Sequence, residues 1–225
     1  MSIFDILGPV MVGPSSSHTA GAVRIGYIAR MLLQDKPVYA HIILHGSFAT
    51  TGVGHGTDKA LIAGVLGMQP DDMRIPDSFR IAEGEGLDFV FESRHIKNAH
   101  PNTAVLTLRG SRGGSLQIQA ASIGGGRVMV HRLDGIDVNF SAEKPTLVVH
   151  NQDMPGNVAK VASLLSDRGI NIATMQLYRA KRGGFAVMVL ELDREVERDI
   201  LKTMESCHGI IKVTYINMEE GNYGV

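Results

Sequence analysis

Three short stretches in the first half of the chain gather the side chains best suited to chemistry. Residues 13–21 read Gly-Pro-Ser-Ser-Ser-His-Thr-Ala-Gly, three hydroxyls and an imidazole just ahead of an apolar helical run. Free backbone N–H groups at a helix start, reinforced by the positive end of the helix dipole, favour a carboxylate or a phosphate. Ser15, Ser16 and Ser17 would add hydroxyl donors to that cradle. The same serines would serve equally as an ordinary N-cap, with His18 a bystander. Residues 46–59, Gly-Ser-Phe-Ala-Thr-Thr-Gly-Val-Gly-His-Gly-Thr-Asp-Lys, follow a strand-like run and open a helix-like one. The glycines resemble a nucleotide loop. However, Thr57 stands where a dinucleotide fingerprint wants its third glycine, and Lys59 has the wrong spacing for a P-loop. What this loop offers is His55 between two glycines, on a backbone expected to come close to a small ligand. An imidazole with a pKa near 6.5 moves protons at neutral pH; the alternative is a glycine-rich turn with an exposed histidine. The third stretch is His100-Pro-Asn-Thr103, followed by Ser122-Ile-Gly-Gly-Gly-Arg127. A residue before proline is held extended, so the His100 ring is expected to point away from its turn, and the triple glycine lets backbone amides face a ligand. A three-histidine zinc site from His18, His55 and His100 is a further alternative. No His-x-x-x-His or Glu-containing helix pair supports it.

The elements that must hold these residues follow from composition and periodicity. The chain has 225 residues, 44% of them hydrophobic, enough for one or two domains with real cores. Lys plus Arg at 22 against Asp plus Glu at 23 leave a formal charge of −1, with no basic block to track a phosphate backbone, so nucleic acid is not an expected partner. No apolar run approaches the roughly 20 residues that span a bilayer. The N-terminus lacks a charged region, a long apolar region and a cleavage site, so a cytoplasmic protein is expected. A single cysteine, Cys207, allows neither an internal disulfide nor a cysteine-ligated cluster within one chain. It reads as a buried small hydrophobe.

The segment from Thr146 to Asn217 reads as strand, helix, strand, strand, helix, strand. Val158, Val161, Ala162 and Leu165 fall at helical spacing before Gly169. Ile170 to Tyr178 and Phe185 to Leu192 are strand runs around a basic, glycine-containing loop. Glu195 to Ser206 carries Val196, Ile200, Leu201 and Met204 on one helical face, ahead of a last strand, Ile210 to Ile216. That order is the ferredoxin-like βαββαβ plan. In the first half, a helix capped by Ser15 to Ser17 runs to about Leu33, Val38 to His45 is a strand, and Thr57 or Asp58 caps a short helix through Leu66. Short strands then dominate: Leu87 to Glu92, Thr103 to Arg109, Leu116 to Ala121, Arg127 to Leu133 and Val138 to Phe140. The fold class is therefore α+β, a mixed or antiparallel-sheet domain over residues 1–142 and a ferredoxin-like domain over 146–225. Between them lies the polar, proline-closed segment Ser141 to Pro145.

Residues 13–21, Gly-His-Gly-Thr-Asp-Lys-Ala at 54–60, His-Pro-Asn at 100–102 and Ser-Ile-Gly-Gly-Gly at 122–126, in this order, resemble the iron–sulfur-dependent bacterial L-serine dehydratases. The resemblance covers the whole chain. Because the sequence stops after the ferredoxin-like unit, it is similar to the β subunit of the two-chain form. The second half resembles an ACT domain, through Asn-Gln-Asp-Met-Pro-Gly at 151–156 and Gly-Ile-Asn-Ile at 169–172. The first half resembles the allosteric-substrate-binding-like domain of some phosphoglycerate dehydrogenases. Ala22 departs from the pattern, where a proline is expected, and removes no polar group.

This resemblance implies conversion of L-serine to pyruvate and ammonia on a 4Fe-4S cluster, with no pyridoxal phosphate. A cluster needs several thiolates, so the cofactor is expected on a separate α subunit, and this chain, with no metal ligands of its own, is expected to be inactive alone. It would supply one wall of the active site: Ser15, Ser16, Ser17 and Thr19, with Asn102, Ser122, Gly124 and Gly125, around the substrate. His18, His55 or His100 would handle protons. His55 is favoured as the base because glycines flank it, with His18 orienting the carboxylate. In the ACT half, Asp153, Pro155, Gly156 and Asn157 are the expected effector turn, with serine as the amino acid; the alternative there is a domain that only holds subunits together, by homo-association. A free-standing amino-acid sensor without a catalytic partner is the competing function.

Overall fold

The computed structural model describes residues 10–218, and the chain divides into two compact units after Asp134. In the first unit the apolar run beyond Ala20 becomes α1 (Gly21–Leu33), with Val23, Ile25, Ile28, Ala29 and Leu32 almost wholly buried. Gln34, at φ 55°, ends it in a left-handed turn. The helix does not begin at the serines. A single π-turn, Ser16–Ala20, precedes it, and Ser15 alone caps that turn, its hydroxyl accepting from His18 N at 3.1 Å.

The strands are β1 (Pro37–Leu44), β2 (Asp88–Ser93), β3 (Thr103–Gly110), β4 (Ser115–Gly124) and β5 (Arg127–Leu133). They lie in the order β2-β1-β3-β4-β5, with β1 and β2 parallel and the other pairs antiparallel. Strand alternation sends Ile42, Leu106, Leu108, Ile118 and Ala120 to one buried face. α1 packs against β3 and β4 and also against α4 (Thr57–Val65).

The glycine-rich stretch after β1 differs from the expected loop. It forms two short helices, α2 (Ser47–Thr50) and α3 (Gly52–His55), before α4. Neither Thr57 nor Asp58 caps α4: Gly56 occupies the cap, the Thr57 hydroxyl donates to His18 O at 3.0 Å, and Asp58 accepts from Lys59 N. A long-range bond thus outcompetes the local cap. A further helix, α5 (Ser78–Glu85), was not read from the sequence. It buries only Ser78 and Ala82, too few apolar positions to give a period.

The second unit follows the βαββαβ reading. β7 (Thr146–Gln152), α6 (Asn157–Ser166), β8 (Ile172–Arg179), β9 (Phe185–Leu192), α7 (Arg198–Glu205) and β10 (Ile210–Ile216) form a sheet in the order β10-β7-β9-β8. β6 (Ile136–Phe140) clusters with this unit, where the Tyr178 hydroxyl donates to Asn139 O and accepts from Asn139 N. Its core joins Leu147, Val149, Met188 and Leu190 of the sheet to Val161, Leu165, Ile200 and Met204 of the helices. Val158, expected on the inner face of α6, is exposed, and Asn157 is buried in its place. Cys207 is half-buried, packs against this core, and its thiol reaches Thr203 O.

Candidate functional site

Folding of the first unit brings the three sequence stretches together. The π-turn ahead of α1 carries His18, whose Nε2 lies 3.0 Å from Ser47 Oγ and 3.2 Å from Thr51 Oγ1. The next short helix, α3, ends on His55, and the two imidazole centroids are 5.0 Å apart. Thr19 is buried and its hydroxyl donates to His55 O at 3.4 Å, fastening α3 to the turn. Phe48 sets its ring against the edge of His18, with centroids 5.4 Å apart. The third stretch joins through backbone. Ser47 N donates to Pro101 O at 2.8 Å, and Gly46, at φ 56°, approaches so closely that an added Cβ would lie 2.5 Å from that oxygen. A side chain there would close the junction between α2 and the His100–Thr103 turn.

Burial pushes the His18 pKa down, and repulsion from His55 lowers it further, against an opposing contribution from Ser47. Both lowering effects favour the neutral form of the His18 ring. Ser15 takes His18 N on its hydroxyl and Thr19 N on its carbonyl. That leaves the first-turn amides of Ser16 and Ser17 at the anion-favouring end.

His100 does not point away from its turn. Its Nδ1 accepts from Asn102 N at 3.1 Å, so the ring folds back over the proline, and Thr103 Oγ1 donates to His100 O at 2.7 Å. The extended backbone before proline leaves the side-chain torsion free, and the nearest unpaired amide captured it. His131 of β5, not singled out in the sequence, is held below the usual imidazole range by burial and by the charge on His100. Ser122 is wholly buried behind the start of α1, its amide bonded to Asn102 O at 3.0 Å and its hydroxyl without a partner among the described residues. Gly124, Gly125 and Gly126 all have positive φ, and Arg24 of α1 donates to Gly126 O at 3.0 Å. Sequence reasoning missed Ser47 and Thr51. Their four-residue spacing was the available signal, and it means something only once the stretch is helical. A groove of about 380 Å³ floored by Ile43, Val105 and Gln119 lies apart and contains none of these residues.

In the second unit Asp153 is engaged. It accepts from Gly183 N and from Arg179, both at 2.9 Å, and these bonds hold its carboxyl below the usual range. Gly156 caps α6 at φ 94°, and buried Asn157 donates to Gln152 O at 2.9 Å while its Oδ1 has no partner among the described residues. Pro155 is exposed between them.

The chain offers one thiol, Cys207, and no group of three or more His, Cys, Asp or Glu among the described residues could hold a metal ion. An iron–sulfur cluster does not fit this donor set, which lacks the required thiolates. No helix among the described residues is long and apolar enough to cross a membrane.

A histidine- and hydroxyl-lined mixed-sheet unit followed by a ferredoxin-like unit narrows the class, and comparison with known proteins narrows it further. Residues 145–209 match the ACT domain family and residues 2–83 match the serine dehydratase beta chain family. The probable L-serine dehydratase beta chain of Bacillus subtilis is 41% identical over 215 residues, covering 96% of this chain and 97% of that protein. The L-serine dehydratase beta chain of Peptoniphilus asaccharolyticus is 33% identical over 96% of this chain and 98% of its own length. D-3-phosphoglycerate dehydrogenase of Bacillus subtilis is 25% identical over 88% of this chain but only 37% of its own. The chain belongs to the L-serine dehydratase beta-chain family.

Proposed function

We propose that this chain is the β subunit of a two-chain L-serine ammonia-lyase, forming the amino-acid-binding and proton-handling wall of a site completed by an α subunit. The supporting observation is the convergence of His18 and His55, 5.0 Å apart, at a turn whose first amides belong to Ser16 and Ser17. Those amides and hydroxyls receive the serine carboxylate, the chemistry expected of a helix-start anion site. His55, exposed at the end of α3, is assigned the proton from Cα; His100 is the weaker candidate because its Nδ1 is committed to Asn102. Asn102, whose carbonyl accepts from Ser122 N, and Gly124 and Gly125 beyond that serine are assigned to the substrate side as well. The 4Fe-4S cluster assigned to the α subunit supplies a Lewis acid for the poor leaving hydroxyl. In the second unit, the turn from Asp153 to Asn157 is the candidate effector site for serine. Homo-association through this unit is supported by its edge strand β8, which carries exposed Leu177.

Co-expression under anaerobic conditions with a cysteine-rich α partner tests this reading. The pair is expected to release pyruvate from L-serine, and this chain alone is not. Release by this chain unaided, or failure of the two to associate, overturns the assignment. In the reconstituted enzyme His55→Ala is expected to lower kcat by at least ~100-fold, the scale for losing a positioned base. Near wild-type turnover removes His55 from that role.

A further inference from the structure

Hydrogen positions around His18 follow from counting protons against contacts. Four close pairs meet there: Thr51 Oγ1 with Ser47 O (2.9 Å), Ser47 Oγ with Thr51 Oγ1 (3.1 Å), and His18 Nε2 with each hydroxyl oxygen (3.0 and 3.2 Å). A carbonyl cannot donate, so the Thr51 proton goes to Ser47 O, the usual back-bond of a helical threonine. Thr51 Oγ1 is then an acceptor toward both remaining neighbours. The Ser47 hydroxyl supplies the proton between the two side chains. Both contacts to the ring can then be satisfied only if Nε2 carries hydrogen and shares it. If Nε2 were bare and Ser47 donated to it, two pairs of lone pairs would face each other at 3.1 and 3.2 Å. The Nε2–H tautomer is therefore the one that satisfies all four pairs at once.

We infer that Ser47 and Thr51 are positioning residues that lock His18 as the Nε2–H tautomer, turning the Nδ1 lone pair toward Ser15 as an acceptor for the ammonium group of the bound amino acid. Nδ1 lies 3.5 Å from Ser15 Oγ, which accepts from His18 N; at that length the Ser15 hydroxyl donates only weakly to the bare nitrogen, and a bound ammonium displaces it. A bare Nδ1 cannot donate to a carboxylate. His18 therefore recognises the opposite end of the zwitterion from the one that the Ser16 and Ser17 amides would hold. An acceptor and a set of donors, side by side on one turn, favour an α-amino acid over a hydroxy acid of the same shape, because an ammonium makes a charge-assisted bond to Nδ1 where a hydroxyl makes a weaker neutral one. The only titratable ring in contact with His18 among the described residues is His55.

The role assigned to Nδ1 rests on the reading of this unit as a serine site; the tautomer does not. Two-bond proton–nitrogen correlation spectra of the full chain labelled with ¹⁵N-histidine, at about pH 8 where imidazoles are neutral, read the tautomer directly. His18 is assigned by the signals lost in His18→Gln. The expected spectrum has Nε2 at the protonated, pyrrole-type position and Nδ1 at the bare, pyridine-type position. Ser47→Ala combined with Thr51→Val should average the two nitrogens, whereas Thr51→Ser should keep the wild-type pattern. A wild-type spectrum with the proton on Nδ1 overturns the inference, as does an unchanged pattern in the double variant. Should the double variant not fold, Ser47→Ala and Thr51→Val taken singly give the same comparison, each expected to move the population toward Nδ1–H, and no movement in either overturns the inference. In the reconstituted enzyme the double variant is expected to lose about tenfold or more in kcat/KM for serine, as supporting hydrogen bonds usually do, with Thr51→Ser restoring it. Absence of pyruvate formation by the wild-type pair would sink the catalytic reading and leave the spectra standing.

Discussion

A β-carbon added at Gly21 would lie 2.1 Å from Ser122 Oγ and 2.7 Å from its Cβ, closer than any real pair tolerates. Gly21 has ordinary helical dihedrals, so its requirement is for space between the start of α1 and β4. Gly21→Ala is expected to destabilise by ~1–3 kcal/mol, the range for overpacking. In a Ser122→Gly background the same substitution should cost much less. Denaturant unfolding of the four members of that cycle measures the coupling, and additive losses would show that the two residues do not collide. His18 and His55 stood out in the sequence as candidates for chemistry, each with an ordinary structural reading beside it; that their rings meet was not legible there. Ser47 and Thr51 were not legible, since hydroxyl residues in a presumed loop carry no direction. Their role exists only because α2 turns both toward His18. The His100 ring was misread for a related reason: proline constrains the backbone before it and says nothing about χ1.

At the scale of elements, α1 and α4 touch backbone to backbone. A Cβ at Gly26 would sit 2.2 Å from Leu61 O, and one at Gly64 would sit 2.0 Å from Val23 O. No side chain can yield there, because the obstacles are main chain. Gly64→Ala is expected to force the helices apart and to lower stability beyond the ~1 kcal/mol that alanine would otherwise add by helix propensity, which denaturant midpoints read directly. A midpoint at or above wild type would show that the pair can separate freely. Asp35 is the other joint. Only 4% exposed, it follows α1 and accepts from Lys36 N, Ser111 Oγ, Arg112 N and Arg112 Nε, tying the start of β1 to the β3–β4 hairpin. Burial by itself raises this carboxyl, but the hydrogen bonds from Arg112, Ser111 and Lys36 outweigh it and pull it down to about 2. In the unfolded chain it titrates near ~3.9. The folded state therefore holds fewer protons between those values; the contribution is fully present above ~4 and is lost as pH falls toward about 2. Asp35→Asn should flatten the acid limb of the stability–pH curve. An unchanged limb would show that other carboxyls dominate it.

For the whole molecule, the open matter is whether the ACT unit binds or only joins. Asn157 Oδ1 is buried without a partner among the described residues beside Gly156, a geometry that a ligand's donor could complete, whereas Asp153 is already bound to the β8–β9 loop. Calorimetric titration of L-serine into the full chain is expected to give heat that Asn157→Ala abolishes. No heat in the wild type, with no thermal shift, would leave the unit a scaffold. The βαββαβ order of this half was readable because each strand and helix carries its own hydrophobic period, and local periodicity survives without tertiary context. The first half was readable as strands, one long helix and a short one through Leu66 for the same reason. The chain alone also determined that a single cysteine cannot ligate a cluster, and it marked three stretches as the candidates for chemistry. Tertiary structure decided the rest: the π-turn that replaces the serine-capped helix start, the helices within the glycine-rich stretch, and the pairing of His18 with Ser47 and Thr51. Those features are set by contacts between residues about 30 positions apart, and such contacts outweigh local propensity whenever burial and long-range hydrogen bonds reward a conformation the sequence only weakly prefers.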